Sequence, residues 1–551
     1  MSHRIKALVL LIAFFLAGCS GGGGGSGPIP EFVTISGTVT YDRVPFSASA
    51  LRGLDFDNVQ RLPARGVSVQ LIDVDGLVIS VTSTDSDGEY SFSFVPSNEL
   101  VRVRVFAELT KTSLPSWDVK LLDNTDGDAQ YVLNGSLVSS GISDSVRDLH
   151  AQSGWDTASS SYVGVRSAAP FAILDSIYLG LQSIVAVDNR FRLDELEVFW
   201  SPDNNTATVS FEDGDIGSSF YRNNQIYILG QEDSDTDEYD QHVIVHEWAH
   251  FIEDALSRSD TIGGGHNTVE SLDPRLAFAE GLANAISGIA TGDPIYRDSF
   301  GVDQSEDFNI DLESNPDSGA GDNAGWFVEG SVHSLLYDLY DTDNEGADDL
   351  SLGLQPIYDV LTDSDYVNES ALLTVYTFFD RLRSNGVADS AALDQLLSAQ
   401  DISGSGIYGA GESNDGGDVN TLPIYTQLTV NGASEQVCTT NDLVAREVNK
   451  LGNRRFLRFS TTPGDHTINV SYSGVGFTPS NPAFVLYRRG QRQVAVPEPD
   501  TLAYDVNEDM VTDVRGLAIP DEYVLEVFSR VNVDGDIFTG GDVCFDVSVS
   551  R

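Results

Sequence analysis

Two histidines four residues apart, with a glutamate directly after the first, stand at His246-Glu247-Trp248-Ala249-His250. On a helix, residues at i and i+4 share one face about 5–6 Å apart at Cβ, so both imidazoles can grip a single metal ion while the glutamate leans over it. Such a group can hydrolyse a polar bond: zinc brings the pKa of its water toward about 7 and polarises a carbonyl, and Glu247 carries the proton to the leaving group. A catalytic zinc needs three protein ligands and one open position. His242 cannot be the third, because eight residues of helix rise about 12 Å between His242 and His250. The longer motif with a nearby glycine and third histidine is absent, since Glu253 and Leu256 occupy those places.

A second helix must therefore supply the ligand. Residues 276–286 form an apolar helical run interrupted by one carboxylate, Glu280, and a lone acid in such a run is costly to bury unless paired or metal-bound. Asn284, one turn later, can accept a proton from a ligand histidine and fix its tautomer. Glu270, Glu253 and His266 compete for the same role, and Glu280 could simply be an exposed residue of an amphipathic helix. The first helix is predicted from the stripe Ile244, Val245, Trp248, Ala249, Ile252, Ala255 and Leu256, preceded by the capping-type run Asp237-Glu238-Tyr239-Asp240.

Over residues 225–290 the chain resembles the gluzincin metallopeptidases, the thermolysin-like and aminopeptidase-like families with HExxH on one helix and a glutamate ligand on the next. The resemblance implies zinc held by His246, His250 and Glu280, Glu247 as general base, and a peptide or protein substrate. The thermolysin-like pattern has an asparagine before the ligand glutamate and an aspartate four residues after it; Ala279 and Asn284 stand there in this chain. Gluzincins also present an edge strand to an extended substrate, and residues 223–230 read as such a strand or as an ordinary core strand. The oxyanion stabiliser is expected on a third helix over 326–340, from His333 or Tyr337 one turn apart, with His266 on its glycine-rich loop as the other candidate.

These elements sit within a long chain. Its 551 residues exceed one core and suggest three folded units. Arg4 and Lys6 precede an apolar run from Ala7 to Phe15 that ends in Leu16-Ala17-Gly18-Cys19, similar to a bacterial lipoprotein cleavage box. Residues 1–19 are thus expected to be a signal peptide, Cys19 the lipidated terminus anchoring the protein in the cell envelope, and 20–30 a glycine-rich tether. Ser20 after that cysteine resembles outer-membrane sorting. Residues 31–135 alternate short strands and turns and resemble a carboxypeptidase-regulatory-like β-sandwich. Residues 136–420 mix strands and helices as an α+β zincin-like catalytic domain would. Residues 421–551 return to strands and resemble a prepeptidase carboxy-terminal sandwich. The expected fold is therefore multidomain, an α+β catalytic unit flanked by two β-sandwiches.

Only three cysteines exist. With Cys19 assigned to lipid, Cys438 and Cys544 are an even pair in an exported protein, expected as a disulfide. A net charge of −53, from 84 acidic against 31 basic residues, excludes nucleic acid as a partner because phosphate is repelled. It also favours divalent cations, and Asp341-Thr342-Asp343-Asn344-Glu345-Gly346 has the alternating oxygens of a calcium loop without its closing glutamate, Leu352 standing there. Asp126-Gly127-Asp128 and Asp534-Gly535-Asp536 are weaker versions. A second function class fits the same features: a surface adhesion or ligand-binding lipoprotein that keeps a peptidase-like fold without catalysis.

Overall fold

The computed structural model describes residues 31–48, 53–315, 323–342, 350–440, 448–461, 463–473, 482–496, 510–517, 521–533 and 542–551. The expected signal segment with Cys19, the tether, the Asp534–Asp536 turn and all but the first two residues of the Asp341–Gly346 turn lie outside the described residues.

Strand Phe32–Arg43 buries alternate side chains, among them Val33, Ile35, Val39 and Tyr41, as a period of two requires of a strand with one face on a core. It pairs antiparallel with Glu89–Pro96 and Gln60–Pro63, and parallel with the short strands Ser145–Val146 and Leu149–Ala151. A larger sheet shares its core. The order there is Phe220–Arg222, Gln225–Ile228, Arg192–Trp200, Ser116–Asp123, Leu100–Lys111, Val67–Asp73, Val78–Ser83.

That order alters the expected organisation. Arg192–Trp200 lies parallel to Ser116–Asp123, with Leu196 opposite Val119 and Val198 opposite Leu121. One sheet therefore crosses residue 135, where the sequence suggested a boundary, and one apolar cluster runs from Val33 to Leu451. A parallel pair needs a crossover connection, and the segment between these strands contains helix α1 (Ala169–Val187). By length and composition α1 could cross a membrane, but Phe171, Ile173, Ile177 and Leu181 are buried in the shared core.

Three further helices carry the residues singled out above. Helix α2 (Gln241–Leu256) holds the histidine pair, α3 (Pro274–Thr291) holds Glu280, and α4 (Glu329–Tyr340) follows the Trp326–Val328 segment. Helix α3 begins with Asp273 capping the Arg275 amide and Pro274 in the first turn, and stops at Gly292 with φ 68°. Glycines set the helix separations. A Cβ on Gly180 of α1 would fall 2.6 Å from the Trp248 ring of α2. On α3, a Cβ on Gly281 would fall 2.5 Å from Val332 Cβ and 3.0 Å from the Glu329 carbonyl. Gly281→Ala is expected to push α4 away and destabilise the fold by about 1–3 kcal/mol, the usual range for overpacking, measurable by thermal or urea denaturation.

The carboxy-terminal region is a two-sheet sandwich with its own core. One sheet runs Tyr425–Gln427, Arg454–Ser460, Glu522–Ser529, Pro482–Arg488, Gln491–Val496; the other runs Glu435–Thr439, Val543–Ser550, Gly464–Tyr472, Met510–Leu517. Phe459, Phe484 and Leu525 from the first meet Val470, Phe545 and Val547 from the second. Cys438 and Cys544 face each other in register and are bonded, as expected. The bond joins residues 106 apart in sequence. Replacing both cysteines by alanine is expected to weaken the sandwich by about 2–5 kcal/mol, since the unfolded chain regains a long loop's freedom; urea melts of the two forms measure this.

The sandwich is docked through buried ions. Arg275 at the start of α3 is 1% exposed in its side chain, pairs with Asp273 at 2.8 Å and Glu526 at 3.0 Å, and lies over the Phe456 ring. Arg454 closes on the same Glu526 at 2.7 Å. Two cations on Glu526 and one on Asp273 offset the cost of removing these carboxylates from water. Burial alone would raise the Asp273 pKa, but Arg275 holds it below its usual value.

Candidate functional site

Helices α2 and α3 pack side by side, so the histidine face of one looks onto the Glu280 face of the other. His246 Nε2 lies 3.0 Å from Glu280 Oε2, His250 Nε2 lies 3.1 Å from the same oxygen, and the two imidazole nitrogens are 3.1 Å apart. Three potential ligand atoms thus converge on one point, a grouping that could hold a metal ion. Ligands about 2.0–2.1 Å from a tetrahedral ion stand about 3.3–3.4 Å from one another, so the observed triangle needs to open by only a few tenths of an ångström.

The tautomer of His246 is set from behind. Its Nδ1–H donates to Asn284 Oδ1 at 2.8 Å, leaving Nε2 with a lone pair aimed at the triangle. Asn284 Nδ2 in turn donates to Glu329 Oε1 at 2.6 Å, and His266 Nδ1–H donates to Glu329 Oε2 at 2.9 Å. His266 Nε2 comes back to Glu280 Oε2 at 3.3 Å. The polar chain therefore closes into a ring, from His246 through Asn284, Glu329 and His266 to Glu280. Its electrostatics follow from burial against pairing. Burial favours a neutral Glu280, yet His250 and His266 hold its pKa well below the ordinary range. Burial likewise opposes charge on His250 and His266, but Glu280 raises them to about 10 and about 9 respectively, Glu329 adding to the second. The pocket favours positive charge at its centre.

The site opens into a cleft of about 920 Å³. Glu247 lines it beside the histidine pair, and the strand Phe220–Arg222 forms one wall. That strand is the edge of the large sheet, whereas Gln225–Ile228 is enclosed between it and Arg192–Trp200. Of the two readings of 223–230, the ordinary core strand holds, and the free edge belongs to the preceding strand. The opposite wall is the glycine-rich segment 261–266. Asn449 holds it from the sandwich side, Nδ2 donating to the Gly263 and Gly265 carbonyls at 3.0 Å each, and Lys450 Nζ donates to Gly265 at 3.1 Å.

Other sequence candidates lie elsewhere. His333 is fully buried, donates from Nε2 to the Ser314 carbonyl at 3.3 Å and lies outside the cleft; burial lowers its pKa. Helix α4 turns Glu329 toward the site and carries His333 into the core, whereas His246, His250 and His266 line the cleft. Tyr337 packs against Tyr340 and Gly288. His242 faces the Asp293 carbonyl at 3.0 Å, Glu270 pairs with Lys450 at 2.7 Å, and Glu253 lines an apolar crevice with Ile184 and Leu256. Glu329, Asn449 and Lys450 were missed. Glu329 carried the signal that revealed Glu280, one acid after the apolar Trp326-Phe327-Val328; nothing local marked the other two.

A family model described as the Mycolysin C-terminal domain matches residues 189–398, the segment that holds α2, α3 and α4, and supports a peptidase-associated domain there. No curated protein matches. Among solved structures, the chain matches the Aeromonas hydrophila PliG, described as a periplasmic lysozyme inhibitor of g-type lysozyme, at 16% identity over 23% of this chain and 96% of that one, with a TM-score of 0.13.

Proposed function

We propose that this chain is a zinc metallopeptidase, with His246, His250 and Glu280 as metal ligands and Glu247 as general base. The observation that carries the reading is the convergence of two imidazole nitrogens and one carboxylate oxygen within 3.0–3.1 Å at the floor of a cleft that Glu247 also lines. Two imidazoles and a carboxylate are a ligand set suited to zinc. When bound, zinc would supply Lewis acidity toward a carbonyl oxygen and make water acidic enough to react near neutrality.

The chain's own residues do the rest. Asn284 keeps the His246 Nδ1 proton in place, so that Nε2 remains a ligand. Glu247 takes a proton from the attacking water and passes it to the leaving amine. The free edge of Phe220–Arg222 pairs with an extended peptide backbone along the cleft. His266, held by Glu329, donates to the oxygen on which negative charge develops. Residues 1–19 and the tether fit a lipid-anchored enzyme of the bacterial envelope, probing peptide or protein substrates outside the cytoplasm.

The test is hydrolysis of casein by the purified chain. Activity that disappears with 1,10-phenanthroline and returns with stoichiometric zinc is expected. Chelator-insensitive hydrolysis refutes the proposed chemistry, and no hydrolysis by zinc-loaded protein leaves the binding-lipoprotein reading.

A further inference from the structure

A second group of carboxylates lies outside the cleft. Asp235 pairs with Phe300 across adjacent strands, and Asp298 sits two residues earlier on the Ile295–Phe300 strand. Because side chains alternate along a strand, Asp235, Asp298 and Asp237 share one face. One ligand oxygen from each lies within 4.8 Å of the others. Oxygens no farther apart than that can share one cation with bonds of about 2.4 Å, within the 2.3–2.6 Å of calcium, and an all-carboxylate set suits such a hard ion.

The second observation is what these oxygens lack. Asp237 is 2% exposed; its Oδ2 accepts from Ser219 while its Oδ1 is buried with no hydrogen-bond partner. Asp235 Oδ1 and Asp298 Oδ1 are likewise buried and unpartnered. Among the described residues no lysine or arginine pairs with any of the three, and their strongest electrostatic neighbours are one another and Asp240. Asp240 is itself satisfied by the Ser299 amide and hydroxyl. Uncompensated buried carboxylates are costly unless a proton or a metal neutralises them. Burial raises Asp235 to about 6 against a hydrogen bond with Asp237 that lowers it, and burial together with the charge of Asp235 raises Asp298 to about 7.

We propose that Asp235, Asp237 and Asp298 bind a structural calcium ion through their converging carboxylate oxygens. Its place in the fold gives it a purpose. Asp235 and Asp237 lie on the segment that enters α2, and Asp298 lies on the strand that leaves α3. One ion bridging them fixes the start of the helix bearing His246 and His250 against the end of the helix bearing Glu280. The site is separate from the zinc site and does not depend on the peptidase reading.

The test uses the full chain carrying Glu247→Gln, so that self-cleavage cannot confound it. Chelated protein is titrated with calcium chloride in about 150 mM sodium chloride, where diffuse binding to the acidic surface is screened, with stoichiometry and melting temperature as readouts. One saturable calcium per chain is expected, raising the melting temperature by several degrees. Asp298→Asn in that background should weaken binding at least tenfold and abolish the rise, while retaining zinc and its circular dichroism spectrum. Asp341→Asn should bind calcium as the parent does. Absence of saturable binding in the parent would mean that the carboxyls share protons instead, and overturns the proposal. So does binding lost in Asp341→Asn but kept in Asp298→Asn. The zinc count, read in the same samples, reports separately on the catalytic reading.

Discussion

Glu247→Gln is expected to lower kcat for peptide hydrolysis by about 10²–10⁴-fold, the share usually carried by a positioned general base, with zinc content unchanged. The amide keeps the shape of the side chain and loses the ability to accept a proton. Glu247 lies in the cleft beside His246 and is absent from the converging triangle of ligand atoms, so its replacement should not release the metal. The decisive comparison pairs steady-state kinetics with zinc per chain on the same preparation. A variant as active as wild type would remove Glu247 from the mechanism; one that is inactive because it is metal-free would make it a ligand.

Glu280→Ala should have the complementary effect. Loss of an outer partner of a ligand typically costs 10–100-fold in metal affinity, and loss of a ligand itself should exceed that. At least 100-fold weaker zinc binding is expected, with hydrolysis falling in parallel and recovering partly at high zinc. The change also strips His250 and His266 of the carboxylate that raises their pKa values, so both rings should be easier to deprotonate. Zinc titration against a competing chelator measures the affinity directly. Asn284→Ala is a milder version: it removes the acceptor of the His246 Nδ1 proton but no ligand.

The parts of the site legible in the sequence are those fixed by helical geometry. The i, i+4 pair His246 and His250, and the lone carboxylate of the 276–286 run with Asn284 one turn on, all come together as local spacing requires. Helices defined by their own periodicity carry such information within a dozen residues. The face of a third helix is harder to read. Glu329 and His333 lie one turn apart on α4, yet only the first reaches the polar ring, while His333 turns to the Ser314 carbonyl.

Long-range pairing was the least legible layer. Arg192–Trp200 joins Ser116–Asp123 in parallel, a partnership about 75 residues distant that leaves no local signature, and so a sheet crosses the boundary drawn at residue 135. The carboxy-terminal sandwich was recognisable from its strands and its cysteine pair. Its hold on the cleft was not: Asn449 and Lys450 grip a glycine-rich loop about 185 residues upstream, bracing from behind a segment that lines the site.

The most direct test of the central claim is the position of zinc in a crystal of the Glu247→Gln protein, located by anomalous scattering at the zinc absorption edge. A peak bonded to His246 Nε2, His250 Nε2 and the Glu280 carboxylate, at about 2.0–2.2 Å from each, is the expected result. No peak within that triangle in zinc-saturated protein, or a zinc held by other residues, would contradict the account.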